Sequence, residues 1–315
     1  MPDRNKPEVL VTGAAGVLAQ QAISRLANDY NVVAIDFRRA VEIGDNIQSY
    51  KVDFLKRGFE DIFRKHDIKG IIHIGRIGGT MIDRFKRYNA NVLGTQKMLD
   101  LSIKYGVNQV IILSSFFVYG ASPYNPALLN EDTPLKASNL TLNLIDSVEL
   151  ENLAQIYLYK YPELNLTILR PCNIGGPGVR NNIGRLLSSR YAPVLWGFNP
   201  VMQFIHVEDM ADAIVKAYKR NVPGIYNVAP DDWVPYRKVL DECGISGVPL
   251  PSIPSAVPQA ISRMFRSRRL PSYLVNYFKY PVIIDGKKFA RTFDFKPQRS
   301  LHELFTHYRE MNERG

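Results

Sequence analysis

Five short apolar runs, separated by helical patterns, constrain the fold of this chain more than any other feature. Each run is almost continuously apolar rather than alternating, which is typical of strands that are covered on both faces. Helical stretches lie between them, for example over residues 17–29 and 91–106. The alternation predicts an α/β fold with a doubly wound parallel sheet and helices on both sides. The five runs are EVLVTG, NVVAID, GIIHIG, QVIILSS and LTILRP.

The regular alternation ends after about Pro177, where loops and short strands follow. We predict a sheet-forming domain over residues 1–177 and a smaller C-terminal lobe over 178–315, with some strands of the second half returning to the first domain. The proline-rich stretch GVPLPSIPSAVP, residues 247–258, predicts a linker or lid in that lobe. A final helix is predicted near residues 300–315.

The composition is that of a soluble globular protein, with 315 residues, 46% hydrophobic and 22% charged. The two cysteines, Cys172 and Cys243, are too few for a disulfide framework and match no metal-binding spacing. They predict buried reduced thiols, a cytoplasmic location and no bound metal. A signal-peptide pattern and an apolar run of about 18 residues are both missing, so neither secretion nor a membrane span is expected.

The net charge of +10 is uneven, because residues 256–315 hold twelve Lys or Arg against five Asp or Glu. Between 256 and 280, apolar side chains recur at helical spacing with arginines around them. Two interpretations stay open: a helix that packs on the lobe with solvated arginines, or an interfacial helix in peripheral contact with an anionic membrane. No helix-turn-helix, zinc-finger or single-strand-binding signature accompanies the charge, so nucleic acid is not an expected partner.

A glycine-rich turn, VTGAAGVLA over residues 11–19, joins the first strand to the first helix. Gly13 and Gly16 let the backbone approach a pyrophosphate, which the free N–H groups and positive dipole end of the helix attract. Asp36 ends the next strand, about twenty residues on, where a carboxylate binds the hydroxyls of an adenosine ribose. This predicts NAD. Arg38 and Arg39 leave NADP open, because a guanidinium pairs with a 2′-phosphate.

Motifs along most of the chain resemble those of the extended short-chain dehydrogenases, the NAD-dependent epimerase/dehydratase family. TGAAGVLA is similar to the family's TGxxGxxG, with Ala19 at the last glycine, and VDF at 52–54 resembles its adenine-contacting segment. Six further stretches resemble family motifs in the family's order: IIHIGR, NVLGTQKML, LSSFFVYG, RPCNIGGPG, QFIHVEDMADAI and FKPQRSLHELF.

The resemblance implies a Rossmann-type fold with a smaller C-terminal substrate lobe, a small-molecule substrate and a homodimer formed through two helices per subunit. It also implies contacts to NAD or NADP at the motif positions. With the residues of the glycine-rich turn and Asp36, the predicted cofactor contacts are Gly13, Gly16, Val17, Leu18, Asp36, Arg38, Asp53, Phe54, Gly75, Asn91, Ser114 and Asn173.

Family chemistry, as the resemblance implies, moves a hydride between C4 of the nicotinamide and a carbon that bears a hydroxyl. A tyrosine phenolate takes the hydroxyl proton, a lysine four residues later lowers the tyrosine pKa, and a serine orients the oxygen. Aligning Glu151 with the motif's glutamate puts Asn143 at the tyrosine position and Ser147 at the lysine position. None of the seventeen tyrosines has a lysine four residues downstream. We therefore expect the usual pair to be missing, since neither replacement titrates near neutral pH.

Replacement catalytic residues are expected from the same region. Ser115 stands at the family's serine position, and Tyr119 and Asp146 are the nearest titratable groups in sequence. Arg76 stands where the family has a small residue, and it would project a permanent cation towards the pyrophosphate or the substrate. We predict catalytic roles for these four residues. The alternative for Ser115 is a satisfied hydroxyl at a strand end, and for Asp146 it is a solvated or dimer-facing position. His73 matches an ordinary family position and is expected to be structural.

A second departure concerns the substrate. Met202 stands where the family's RDFIHV motif has an arginine that holds a nucleotide-sugar diphosphate, and a thioether cannot replace that charge. A less anionic or more apolar ligand becomes favoured over a nucleotide sugar. Phe116, Phe117, Trp196 and Phe198 are candidates to line such a pocket with Met202, and ordinary core packing is the alternative for them.

Two hypotheses about function follow. The first is an NAD(P)-binding, epimerase/dehydratase-like oxidoreductase with a non-standard acid/base site, acting on a sugar-nucleotide-like or less anionic small molecule. The second is a catalytically inactive NAD(P)-binding sensor or assembly protein. The cofactor motifs agree with both. The missing tyrosine-lysine pair favours the second, whereas the family resemblance favours the first, because most members of that family are enzymes.

Overall fold

The computed structural model describes residues 5–41, 44, 47–78, 83–251 and 272–314. Strands and helices within these ranges alternate along the first half of the chain. The strands are β1 Glu8–Thr12, β2 Asn31–Asp36, β3 Ile47–Lys51, β4 Ile68–His73, β5 Val110–Leu113, β6 Leu166–Pro171, β7 Asn173–Gly175, β8 Tyr191–Leu195, β9 Val201–Met202, β10 Phe204–His206, β11 Gly224–Val228, β12 Val234–Pro235 and β13 Ser246–Leu250. The helices are α1 Val17–Leu26, α2 Arg57–Lys65, α3 Arg84–Tyr88, α4 Gly94–Lys104, α5 Ala137–Leu140, α6 Ile145–Lys160, α7 Asn182–Leu187, α8 Val207–Arg220, α9 Tyr236–Glu242, α10 Lys287–Phe293 and α11 Leu301–Arg314.

One large parallel sheet organises the molecule. Within the described ranges it has seven strands in the order β11-β6-β5-β4-β1-β2-β3, and every neighbouring pair is parallel. The strand order reverses direction between β1 and β4, which is the position where doubly wound sheets bind ligands at the carboxyl ends of their strands. The predicted Rossmann-type α/β fold is confirmed.

Both faces of the sheet are covered, which explains the continuous apolar runs. Val9 and Val11 of β1 pack into one apolar cluster with α1 and α8, while Leu10 between them packs into a second cluster with α2, α4 and α6. Successive strand residues point to opposite faces, so a strand between two helical layers needs apolar side chains at every position.

The second half of the chain supplies the sheet with one strand and forms a smaller set of paired strands. β11 joins the large sheet beside β6, and short pairs form between β7 and β10, β9 and β12, and β8 and β13. The sequence did not predict the edge strand β3, because most of its IQSYK residues are polar and none is fully buried. Edge strands lack the two-sided burial that makes a strand recognisable.

Two expectations concern the membrane. In the part of the chain that the structure describes, no helix has the length and apolar character needed to cross a bilayer. The predicted interfacial helix of residues 256–280 falls largely on residues 252–271, which lie outside the described ranges.

Candidate functional site

The turn between β1 and α1 is built for a close approach of backbone groups. Gly13 has φ of +72°, and a Cβ atom there would lie 2.5 Å from the Cα atom of Gly75 at the end of β4. Only glycine fits both the left-handed conformation and this contact. At the start of α1, Gly16 is the N-cap and no side chain caps the helix. The N–H groups of the first turn are therefore available to an anion at this helix N-terminus.

The carboxylate of Asp36 lies at the end of β2 and is almost fully buried. It accepts hydrogen bonds from the backbone N–H of Ala15 at 3.1 Å and of Arg38 at 2.8 Å, and the Arg38 guanidinium adds two more at 3.1 and 3.2 Å. Burial acts to raise the pKa of Asp36, but the hydrogen bonds from Arg38 and Ala15 outweigh it and hold the pKa below its ordinary value. Asp36 is thus an oriented, ionised acceptor at the edge of a cleft.

That cleft runs along the carboxyl ends of the central strands and has a volume of about 520 Å³. Its lining includes ten of the twelve predicted cofactor residues: Gly13, Gly16, Val17, Leu18, Asp36, Arg38, Asp53, Phe54, Gly75 and Asn91. Ser114 and Asn173 are not among the lining residues. Ser114 is buried at the end of β5, where its Oγ has no hydrogen-bond partner among the described residues, and Asn173 lines a second cavity.

The cleft also contains residues that the sequence did not single out. Lys86 and Asn89 line it from the segment before α4, and Arg180 and Asn181 line it from the loop after β7. A signal for the second pair was the GGPG turn just before them, which must carry the chain back across the sheet edge. Nothing in the local sequence distinguishes Lys86 and Asn89 from solvent-facing helix residues.

His73 is locked into the core at the end of β4. Its Nδ1 lies 2.8 Å from Thr12 Oγ1, and its Nε2 lies 3.0 Å from Thr95 Oγ1. Thr95 Oγ1 donates to the carbonyl of Asn91, so it accepts from His73 Nε2–H, which assigns the neutral tautomer. Complete burial, together with the nearby Arg76 charge, lowers the pKa of His73 to about 3. The ring is a neutral structural bridge rather than a proton shuttle.

Helix α6 contains Ser147, which aligns with the lysine of the expected tyrosine-lysine motif, and it begins two residues after Asn143, which aligns with the tyrosine. Glu151 is fully buried and forms an ion pair with Arg170 of β6 at 2.8 Å, which fixes how α6 lies on the sheet. One turn earlier, Ser147 Oγ accepts a hydrogen bond from Arg76 Nη2 at 2.8 Å. Arg76 lines the cleft and comes from the loop after β4. A guanidinium therefore reaches the position that the sequence alignment gave to the lysine.

Asp146 lies outside the cleft lining, in a buried cluster behind it. Its Oδ1 is 3.1 Å from Arg87 Nη2, and its Oδ2 accepts a hydrogen bond from Asn91 Nδ2 at 2.7 Å. Asn91 belongs to a π-helical turn, Asn89–Leu93, and also bonds the backbone of Ile77 in both directions. Through Asn91, the cluster connects α6 to the loop that carries Arg76, so the contacts of Asp146 stabilise the position of that loop.

Tyr119, the other titratable candidate, is buried on the far side of the turn that follows β5. Its hydroxyl accepts from Arg170 Nη1 at 2.8 Å and lies 2.8 Å from Asn227 Oδ1 and 3.1 Å from the carbonyl oxygen of Asn130. Burial raises the pKa of Tyr119 to about 12. The structure does not bring this hydroxyl together with Arg76, because Tyr119 anchors the turn to the core.

Ser115 caps the same turn by accepting from the backbone N–H of Phe117 at 3.3 Å. It is not among the residues that line the cleft or a second cavity, although the next two residues line that second cavity. Phe116, Phe117 and Met202 line that cavity as expected. The other two aromatic candidates do not: Trp196 is 61% exposed, and Phe198 packs near Tyr280.

The strand order, the glycine turn and the acidic residue at the end of β2 together define a Rossmann-type dinucleotide-binding protein. A family model described as the NAD dependent epimerase/dehydratase family matches residues 9–229. The chain belongs to this family.

Comparisons with individual proteins agree with the family. An uncharacterized protein of Mycobacterium tuberculosis is 22% identical over 95% of this chain and 82% of its own length. A UDP-glucose 4-epimerase of Bacillus subtilis is 31% identical over 42% of each chain. Among solved structures, UDP-glucose 4-epimerase from Thermotoga maritima with UDP-glucose superposes with a TM-score of 0.76, at 19% identity over 98% of this chain and 99% of that one. MoeE5 in complex with UDP-glucuronic acid and NAD gives 0.75, at 22% identity over the same shares.

Proposed function

We propose that the protein is an NAD-binding oxidoreductase of the epimerase/dehydratase type, in which Arg76, with Ser115 and Ser147, takes over part of the work of the tyrosine-lysine pair. The observation that carries this proposal is the 2.8 Å hydrogen bond to Ser147 from Arg76, which lines the cleft. This hydrogen bond brings a permanent cation to Ser147, the position that aligns with the lysine of the family motif.

The residues of the cleft suit NAD. The uncapped start of α1 offers N–H groups to the pyrophosphate, and the glycine contact between β1 and β4 leaves room beside it. Asp36 favours the ribose hydroxyls and repels a 2′-phosphate, which argues for NAD over NADP even though Arg38 lies next to it. When bound, NAD supplies the hydride acceptor at C4 of its nicotinamide. Neighbouring structures in complex with NAD support the same choice.

The chain's own groups would then act on a substrate oxygen. The Arg76 guanidinium stabilises negative charge on that oxygen without changing its own protonation, and the Ser115 hydroxyl donates to it. Asn143 and Ser147 do not titrate near neutral pH, so the proton that the substrate hydroxyl loses as the hydride leaves would pass to water. General acid/base help contributes about 10²–10⁴-fold, and we expect turnover to be slower by a factor of that order. The substrate is a sugar-nucleotide-like or less anionic small molecule.

A second function is favoured by a specific observation. The two candidates that do titrate, Asp146 and Tyr119, are both engaged in buried contacts behind the site. A protein that keeps the cofactor cleft while Asp146 and Tyr119 are both engaged elsewhere would serve as an NAD-binding sensor or assembly subunit. The two functions differ in whether any ligand changes the redox state of bound NAD.

The cofactor part of the proposal is tested by calorimetric titration of the purified, cofactor-stripped protein with NAD and NADP. We expect NAD to bind more tightly. Asp36→Asn should weaken NAD binding about 10- to 100-fold, because a charge-assisted hydrogen bond contributes about 1.5–3 kcal/mol. Asp67→Asn is a matched control, since this carboxylate is exposed and lies outside the cleft. Failure of wild-type protein to bind either nucleotide would refute the proposal.

The catalytic part is tested by the absorbance of reduced nicotinamide when UDP-sugars and uncharged secondary alcohols are added to the NAD complex. A response to one ligand identifies an oxidoreductase, and the absence of any response with intact NAD binding favours the sensor. In a responding system, Arg76→Met should lower kcat/KM by about 10²-fold or more, because a preorganised cation is lost. Arg76→Lys should retain part of the activity. Equal rates in wild type and Arg76→Met would remove Arg76 from the site.

A further inference from the structure

The carboxylate of Asp36 already accepts four hydrogen bonds from the chain itself. Its Oδ1 accepts from the backbone N–H of Arg38 at 2.8 Å and from Arg38 Nε at 3.1 Å. Its Oδ2 accepts from the backbone N–H of Ala15 at 3.1 Å and from Arg38 Nη2 at 3.2 Å. Because a carboxylate offers about four lone-pair positions to donors, the chain's own groups fill this one.

Two of these donors belong to a side chain that is able to leave. The backbone N–H groups of Ala15 and Arg38 are held in place by the turn after β1 and by the end of β2. The Arg38 side chain is 55% exposed, whereas the Asp36 side chain is 1% exposed. An ion pair with a solvent-exposed partner is weak, since water and salt compete for that partner. The guanidinium is therefore the donor that yields to a ligand.

An adenosine ribose makes the same demand on Asp36 as this guanidinium does. Its neighbouring hydroxyls donate hydrogen bonds to a carboxylate at the end of the second strand. The Nε–H and Nη2–H groups of Arg38 likewise form a two-pronged donor, with one hydrogen bond to each carboxylate oxygen. Asp36 and Arg38 both line the cleft. The guanidinium thus takes the acceptor positions that the ribose needs.

We propose that Arg38 is a displaceable occupant of the ribose position, whose guanidinium has to leave Asp36 before the ribose of NAD can bind there. This inference rests on the proposed function, because it concerns the cofactor site of that function. Arg38 is then a competitor of NAD, although the sequence alone predicts it as a cofactor contact. Its presence lowers the affinity for NAD.

The displaced guanidinium has the opposite effect on NADP. The backbone of Arg38 stays next to Asp36 through its own hydrogen bond, and the guanidinium has a second partner in the Phe37 ring, 5.8 Å from its Cζ atom. A 2′-phosphate on the same ribose would be repelled by Asp36, and a guanidinium that pairs with the phosphate offsets this repulsion. Arg38 therefore narrows the preference for NAD over NADP from both sides.

The test is calorimetric titration of cofactor-stripped wild type and Arg38→Ala with NAD and with NADP. We expect Arg38→Ala to bind NAD about threefold more tightly, as for the loss of an exposed ion pair, and NADP about tenfold more weakly. Opposite changes for two nucleotides cannot arise from a general loss of folded protein. Arg57→Ala is the control for net charge, since Arg57 is exposed at the start of α2 and is not among the described residues that line the cleft.

NAD binding that Arg38→Ala weakens or leaves unchanged would overturn the inference. So would an unchanged ratio of the NAD and NADP affinities, or an equal tightening of NAD by Arg57→Ala. As a direct readout, the ¹⁵N NMR signal of Arg38 Nε–H should shift when NAD is added to wild type, and a signal that stays in place at saturating NAD would contradict displacement. All these results leave NAD binding itself intact, whereas failure of wild type to bind either nucleotide defeats the proposed function.

Discussion

Single residues at this site have partners that are far away in the sequence and that the local sequence does not reveal. Arg76 donates to Ser147, which is 71 positions away, and the same guanidinium contributes to the low pKa of His73 three residues earlier. The Arg76 charge therefore acts both on the buried His73 ring and on the cleft that Arg76 lines. Because a buried imidazole next to a fixed cation resists protonation, it should make the free energy of unfolding depend on pH.

His73 should make the protein less stable in mild acid. Its pKa is about 3 when folded and near 6.5 when unfolded, so the unfolded chain binds a proton first as the pH falls. The free energy of unfolding is unaffected above about pH 6.5 and falls by about 1.4 kcal/mol per pH unit below it, or about 2–3 kcal/mol by pH 4.5. Urea denaturation of wild type and His73→Gln should differ in pH dependence by this amount.

The control for that measurement is His302→Gln, because the His302 side chain is 80% exposed. This variant should keep the wild-type pH dependence. An identical slope for wild type and His73→Gln between pH 6.5 and 4.5 would show that the ring is not buried in its neutral form.

Among elements, the contact between α6 and β6 decides what the site can be. Glu151 and Arg170 are both almost fully buried, and Arg170 also donates to Tyr119 and to the carbonyl of Glu131. One guanidinium thus holds the helix that carries Ser147, the turn after Ser115 and the loop at Glu131. The helix cannot rotate to bring another side chain into the cleft without breaking this set of bonds.

Breaking the pair should destabilise the fold strongly. Arg170→Met leaves Glu151 buried without its partner and should reduce the free energy of unfolding by about 3–5 kcal/mol. The double variant Glu151→Leu with Arg170→Met removes both charges and should recover part of the loss. Chemical denaturation provides the measurement, with the exposed pair Arg314–Glu310 as reference, where Arg314→Met should change stability by about 0.5 kcal/mol or less. Equal effects at the two sites would contradict the buried pairing.

At the scale of the whole molecule, the outer surface of α6 presents apolar side chains to solvent. Ile156 is 58% exposed and Tyr159 is 75% exposed on this helix. The family resemblance leads us to expect a homodimer through two helices of each subunit. An exposed apolar stripe on one long helix suits such an interface, because burying it on a second copy removes it from water.

Sedimentation equilibrium should therefore detect a dimer of the 35.8 kDa chain. Ile156→Asp should shift the protein towards the monomer, because a carboxylate would be buried at the expected interface. Met311→Asp, at a similarly exposed position on α11, is the matched control and should sediment like wild type. A wild-type protein that stays monomeric at micromolar concentrations would exclude this assembly.

The core of the fold and the cofactor cleft could be predicted because the residues that form each of them lie close together in the sequence. Each central strand is a continuous apolar run, and Gly13, Gly16 and Asp36 lie within a single strand-helix-strand unit. β3 escaped prediction because an edge strand carries no two-sided apolar signal. Tyr119 was selected for its nearness in sequence to Ser115, but a tight turn directs its side chain into the core instead.

By itself, the sequence determined the α/β sheet, the glycine turn and the carboxylate at the end of β2, since strand burial and helix-terminus chemistry depend on neighbouring residues. Only the tertiary structure decided which distant groups meet. It brought Arg76 to Ser147, enclosed Asp146 with Arg87, and joined Tyr119 to Asn227, 108 positions away. Partners this far apart are selected by packing, because each buried polar group needs a partner that no local pattern specifies.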